Sequence, residues 1–174
     1  MPPRDDDLRS ELLAMAKVDQ ESRHADAATQ RAMGDVDARH TARLRAIVDR
    51  CGWPDASLVG EDGSFAAWLL VQHADGDPAF QERCLALMTA APTGTVAKRN
   101  IAYLTDRVRV ALGRPQVYGT QLNHRIEDPS QVDERRREAG METLAEYHRF
   151  CAEAEGRRRA AASGASVRRS PSEN

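Results

Sequence analysis

Aromatic side chains are scarce in this chain, at 5% of 174 residues. A core of stacked rings is therefore excluded, and Leu, Val, Ala and Met must carry the packing. Lysine is nearly absent, with only Lys17 and Lys98, so the basic side chains are almost all arginine. The formal net charge is -2, without the basic excess of a nucleic-acid binder. Cys51, Cys84 and Cys151 are odd in number and far apart, with no CxxC or Cys/His spacing. That excludes a zinc knuckle by pattern and reads as three buried free thiols in a reducing compartment. No apolar run approaches the length of a membrane span, and Asp5-Asp6-Asp7 stands where a secretory leader would carry its apolar stretch. A cytoplasmic location is expected. No glycine-rich phosphate loop, GxSxG elbow or HExxH pair occurs. The five histidines are scattered, so neither a metal nor a cofactor is expected.

What is present is an ordinary globular balance, 41% hydrophobic and 30% charged, in a length that suits one domain. The periodicity predicts a mainly α fold, a bundle of six or seven helices. Residues 1–7 read as an N-terminal arm, 8–158 as a single helical domain, and 159–174 as a disordered Arg/Ser/Ala tail. Leu8, Leu12, Leu13 and Ala16 give the first helix an apolar face that fades after Asp26. Val36, Leu44, Ile47, Val48 and Cys51 share a face of the second, stopped by Gly52 and Pro54. The segment 55–63 reads as a loop before a short apolar helix from Ser64 to His73. Asp77 and Pro78 open a fourth helix, ending near Ala91. A fifth spans roughly Val96 to Leu112, a sixth follows Asp128-Pro129-Ser130 to Ala139, and a seventh runs about Thr143 to Arg158. Between them, 116–126 alternates and is rich in β-formers, which predicts a short hairpin or an extended loop.

Polar residues inside apolar helical runs need a reason, because burying them unpaired costs roughly 1–3 kcal/mol each. Gln72 and His73 end an apolar helix, where a histidine can cap carbonyls or serve as a general base. Asp106 and Arg107 sit between apolar neighbours. One could orient His73 and the other bind a substrate anion, or both could join a structural ion pair with Asp19, Arg23 or Asp37. Gln116, Tyr118 and Thr120 would share one face of a strand, with Gln121 opposite and Gly119 allowing close approach. That set suits hydrogen bonding to a small polar ligand. Asp19, Gln20 and Arg23 form a weaker cluster, since an i,i+4 pair alone is an ordinary surface feature. Arg135-Arg136-Arg137 reads as a solvated face with one arginine free to turn inward.

The order Asp19-Gln20-x-x-Arg23, Gly52-Trp53-Pro54, Val59-Gly60, Gln72-His73-Ala74, Tyr103-Leu104-x-Asp106-Arg107, Gln116-x-Tyr118-Gly119-Thr120-Gln121 and Glu127-Asp128-Pro129 resembles a bacterial family catalogued only as a domain of unknown function. The likeness covers about Leu8 to Tyr147. It implies a mostly helical cytoplasmic domain and supplies no reaction.

Two functional expectations follow. The first is a cofactor-independent acid/base enzyme acting on a small polar substrate that bears a carboxylate or amide, for example in a tailoring step of bacterial specialised metabolism. His73 would be the acid/base, Asp106 its orienting partner and Tyr118 a second donor. Asp19, Gln20, Arg23, Gln72, Arg107, Gln116, Thr120 and Gln121 would hold a small polar molecule or peptide. The second is a binding or protein-interaction module of sensor or immunity type, in which the same groups form a network fixing helix register. Nucleic-acid binding through the Arg-rich tail is disfavoured by the near-neutral charge.

Overall fold

The computed structural model describes residues 3–24 and 33–167. Seven α-helices account for most of them: α1 (Asp6–His24), α2 (Met33–Cys51), α3 (Ala56–Gln72), α4 (Pro78–Ala90), α5 (Lys98–Ala111), α6 (Val132–Glu138) and α7 (Leu144–Val167). The mainly α expectation holds, and no strand occurs among the described residues. No described helix is long and apolar enough to cross a membrane.

Helix α3 is the axis of the bundle. From Phe65 to Val71 it is almost entirely apolar, as a helix with neighbours on several sides must be, and α1, α2, α4 and α5 all pack against it. Its Val59, Ala66, Ala67, Leu70 and Val71 join Leu8 and Leu12 of α1, Leu44, Ile47 and Val48 of α2, Phe80, Cys84 and Met88 of α4, and Leu104 and Val108 of α5 in one core. The helix begins earlier than the sequence suggests. Asp55 caps it by accepting from the amides of Ser57 and Leu58, and the chain then kinks at Gly60, where φ is +75°. The segment read as a loop is therefore a first helical turn and a glycine break, a backbone shape that only glycine adopts cheaply.

Helices α1 and α3 lie parallel. Arg4 meets Ser57, Arg9 meets Asp62 and Asp19 meets His73, at sequence separations of 53, 53 and 54. A constant offset is the signature of two helices rising together in the same direction. Gly63 makes the approach close: a Cβ there would sit 2.9 Å from Val59 and 3.2 Å from Arg9.

Residues 116–127 fold as a loop, the second of the two forms expected there, closed by one parallel bridge between Gln116 and Ile126. A hairpin would have paired them antiparallel. Asp106, fully buried, holds this loop from α5. Its carboxylate accepts from the amides of Val117 (2.6 Å), Tyr118 (3.0 Å) and Thr120 (2.9 Å) and from the Thr120 hydroxyl (3.0 Å). Gln116 works from within, donating to the carbonyls of Gln121 and His124 and accepting from the Gln121 amide. Arg136 is the arginine that turns inward: fully buried, it donates to the carbonyls of Tyr118 and Glu142 and lies over the Tyr147 ring.

At the C-terminus α7 continues to Val167, so the stretch from Arg159, marked by composition as a disordered tail, begins as helix. The rest of that tail, 168–174, lies outside the described residues.

Replacing Asp106 by Ala would orphan three backbone amides in a dry site. It should destabilise the protein by about 3 kcal/mol or more, read from urea unfolding. A loss under about 1 kcal/mol would mean that the loop is not held this way.

Candidate functional site

The last turn of α1, the C-terminus of α3 and the turn into α4 meet at one place. His73 is the C-cap of α3; its amide donates to the carbonyl of Leu70, and the next amide, of Ala74, donates to that of Val71. Asp77 then caps α4, with Pro78 in its first turn. The tight 74–77 turn between the two helices is closed by the Asp77 amide on the Ala74 carbonyl.

Parallel packing brings Asp19 beside His73. The Asp19 side chain is 1% exposed, with both carboxylate oxygens 2.9 Å from His73 Nδ1. It also accepts from Arg23 Nη2 at 3.0 Å and from Gln20 Nε2 at 2.8 Å. Arg23 reaches across to Asp37 on α2, 2.6 Å away. Nδ1 lies 3.0 Å from Arg23 Nε as well, but it cannot both donate to Asp19 and accept from Arg23. A buried carboxylate is the stronger partner, so the proton belongs on Nδ1. Nε2 is then the free nitrogen, and it has no hydrogen-bond partner among the described residues.

His73 forms part of the wall of a cleft of about 450 Å³ between α2 and the 74–77 turn. Asp37, Thr41 and Arg45 line it from α2, and Asp75, Gly76 and Asp77 from the turn. Arg45 is paired with Asp77. Behind the turn, Arg107 donates to Gln72 Oε1 at 3.1 Å and to Asp75 at 2.7 Å. Gln72 is buried, and its Nε2 has no partner among the described residues. Burial pushes the Asp19 carboxyl up, but hydrogen bonds from His73, Arg23 and Gln20 outweigh it and hold the group well below the usual carboxylate range. Asp37 goes the other way: burial raises it more than Arg23 lowers it. His40, one turn further along α2, is lowered by burial, and its Nδ1 is sealed without a partner among the described residues.

A family model matches residues 6–159 of the chain. The chain belongs to the family of unknown function DUF6624. No curated protein and no solved structure matches it.

In this DUF6624 chain, six of the residues singled out from sequence belong to the network at the cleft: His73 stands on its wall, and Asp19, Gln20, Arg23, Gln72 and Arg107 lie behind it, linked by hydrogen bonds, directly or through one another, to His73, Asp37 or Asp75. Five do not. Asp106 cannot orient His73, because its carboxylate is filled by the 117–120 backbone; Asp19 takes that place. Gln116, Thr120 and Gln121 bond within their own loop, and Tyr118 packs against Ala102, Ala139 and Met141. Burial, with Asp106 adding to it, pushes the Tyr118 phenol up, so it is a poorer proton donor than an ordinary tyrosine. None of these four lines the cleft. Among the described residues no His, Cys, Asp and Glu grouping is arranged to hold a metal. Sequence reading missed Asp37's place at the site, along with Thr41, Arg45 and Asp75. Asp37, Thr41 and Arg45 fall on the polar side of an amphipathic helix, where nothing in the spacing separates a cleft from a solvated face.

Because Asp19 is depressed in the folded state, its contribution to stability is present above the unfolded value near pH 4 and is lost as pH falls below it. Asp19→Asn should therefore be less stable than the wild type at pH 7, and the gap should narrow between about pH 5 and about pH 2. Urea titrations across that range would show it; a constant gap would contradict the assignment.

Proposed function

We propose that the protein is a cofactor-independent acid/base enzyme acting on a small polar substrate bound in the cleft at His73. The observation that carries this reading is the Asp19–His73 pair: a buried carboxylate on Nδ1, with Nε2 without a partner among the described residues, in a side chain at the wall of a cleft. In that arrangement Nε2 can take a proton from water or substrate, and the Asp19 carboxylate stabilises the imidazolium that results. Asp37 lines the cleft from α2, where it is paired with Arg23. Hydrolysis, elimination or cyclisation would each fit the Asp19–His73 pair.

The substrate reading shifts with the geometry. Arg23 and Arg107 are already engaged by Asp19, Asp37 and Asp75, so neither is a ready clamp for a carboxylate. The cleft offers mostly acceptors, which suits a substrate presenting N–H or O–H donors, such as an amide, and supports the amide-bearing alternative over the carboxylate-bearing one. The second reading is a binding module without turnover. It is favoured by the self-satisfied network round Asp106, which behaves as structure and not as chemistry.

A panel of small amides, amino amides and hydroxy amides, followed by proton NMR for both turnover and shifts of the His73 ring, separates the two. Turnover of a panel member should fall by about 100-fold or more in His73→Gln, with the unfolding midpoint little changed. Turnover that survives in His73→Gln, or binding at His73 with no turnover, would overturn the enzyme reading.

A further inference from the structure

A second and larger hollow, of about 920 Å³, lies on the other flank of α3, where the middle of that helix faces the first turns of α5. Its size is that of a small-molecule site. The wall carries three aromatic rings in series. Phe65 and Trp68 are one turn apart on α3, with centroids 5.1 Å apart, and Tyr103 of α5 meets Trp68 edge-on at 6.0 Å. The Trp68 indole N–H is spent on the Asn100 carbonyl at 2.9 Å, so the indole presents carbon surface to the hollow. Phe65 is half exposed, although the chain has few aromatics to place.

Two polar side chains on this wall are unexplained by the fold. Ser64 and Asn100 are each 7% exposed, both line the hollow, and neither side chain makes a hydrogen bond among the described residues. Neither is among the sealed, unpartnered atoms, so their polar atoms keep solvent access at the wall of the hollow. Polar groups that hold water at such a wall are available to bond a ligand in its place. Beside them, α5 begins at Ala97 with no side-chain cap and no acid in its first turn. Its free amides and Arg99, which forms no salt bridge among the described residues, give that end of the hollow a positive field. Asp62, on the α3 side, is neutralised by Arg9 at 2.5 Å, and exposed Glu61 stands next to it.

We propose that this hollow binds a small aromatic anion. The ring lies against Trp68 and Tyr103, the anionic group meets Arg99 and the start of α5, and Ser64 and Asn100 bond polar atoms between. The site is independent of the chemistry assigned to His73: α3 carries both, and Phe65 lies about 12 Å along the helix axis from His73.

The test uses the full chain with indole-3-acetate and AMP as an aromatic carboxylate and an aromatic phosphate, and tryptamine and acetate as controls. Calorimetry gives affinity, and proton–nitrogen NMR reads the Trp68 indole N–H and the Asn100 side-chain amide. At least one of the two aromatic anions should bind and move both signals, and which one binds tells a carboxylate ligand from a phosphate ligand. Exposed Arg99→Gln should weaken binding about tenfold, and Ser64→Ala provides a second variant with the same expected direction. The proposal is overturned if neither anion moves the Trp68 signal, if tryptamine binds as tightly as the anions, or if both variants bind like the wild type.

Discussion

A carboxylate taken out of water must be met by donors or it will not stay ionised. Asp19 is met by three side chains, and only the parallel seating of α1 on α3 makes that possible. Gln20 and Arg23 come from its own helix, and His73 comes from the neighbour at a fixed offset of 54 residues. Gly63 lets the helices approach, while Arg4 and Arg9 tie the other end of the pair to Ser57 and Asp62. A slip of one residue along this seam would move Asp19 away from His73 and leave a buried charge short of a donor. The site and the packing register are thus one constraint: the contact that orients the imidazole also penalises every other alignment of α1.

Helix α5 divides labour within a single dipeptide. Asp106 and Arg107 project about 100° apart. Asp106 faces the 117–120 backbone and holds a loop of strained shape, in which Gly119 has φ of +72° and a Cβ would meet Leu144 at 2.6 Å. Arg107 faces the α3–α4 turn and engages Gln72 and Asp75 at the back of the cleft. The loop therefore bears on the cleft only indirectly, through the position of α5. Its dense polar character comes from having almost no regular ladder, so that side chains must satisfy amides and carbonyls a sheet would have paired.

This explains what could be read in the sequence. Helices declared themselves wherever apolar periodicity met a cap, as at Asp77-Pro78 or Gly52-Trp53-Pro54, and His73 stood out because it ended an apolar run. The start of α3 was hidden because Gly60 and Gly63 look like loop residues; one makes a kink and the other a close contact, and neither role has a local signature. The Gln116 to Gln121 segment was visible as unusual but not as self-contained. Residue type shows that a group must bond, while only tertiary placement shows whether its partner is a ligand or the protein's own backbone. Asp19 is the converse case. Its i,i+4 spacing to Arg23 suggested a surface pair, and a 1% exposed carboxylate became legible only once α3 covered it.

The contrast between the two acids also sets what the cleft can do. Asp106 is saturated by donors that belong to the backbone and cannot leave, so its charge is fixed in the fold. Asp19 is held by side chains, one of which is an imidazole whose far nitrogen has no described protein partner. A proton gained at Nε2 makes His73 a cation against a carboxylate already in place, so the stabilising charge is organised before the proton arrives. Asp37 is tied to the same Arg23, so the two acids share one cation while burial raises one and hydrogen bonding lowers the other. A shared cation thus meets two different environments: hydrogen bonds favour the charged form of Asp19, while burial works against the charged form of Asp37.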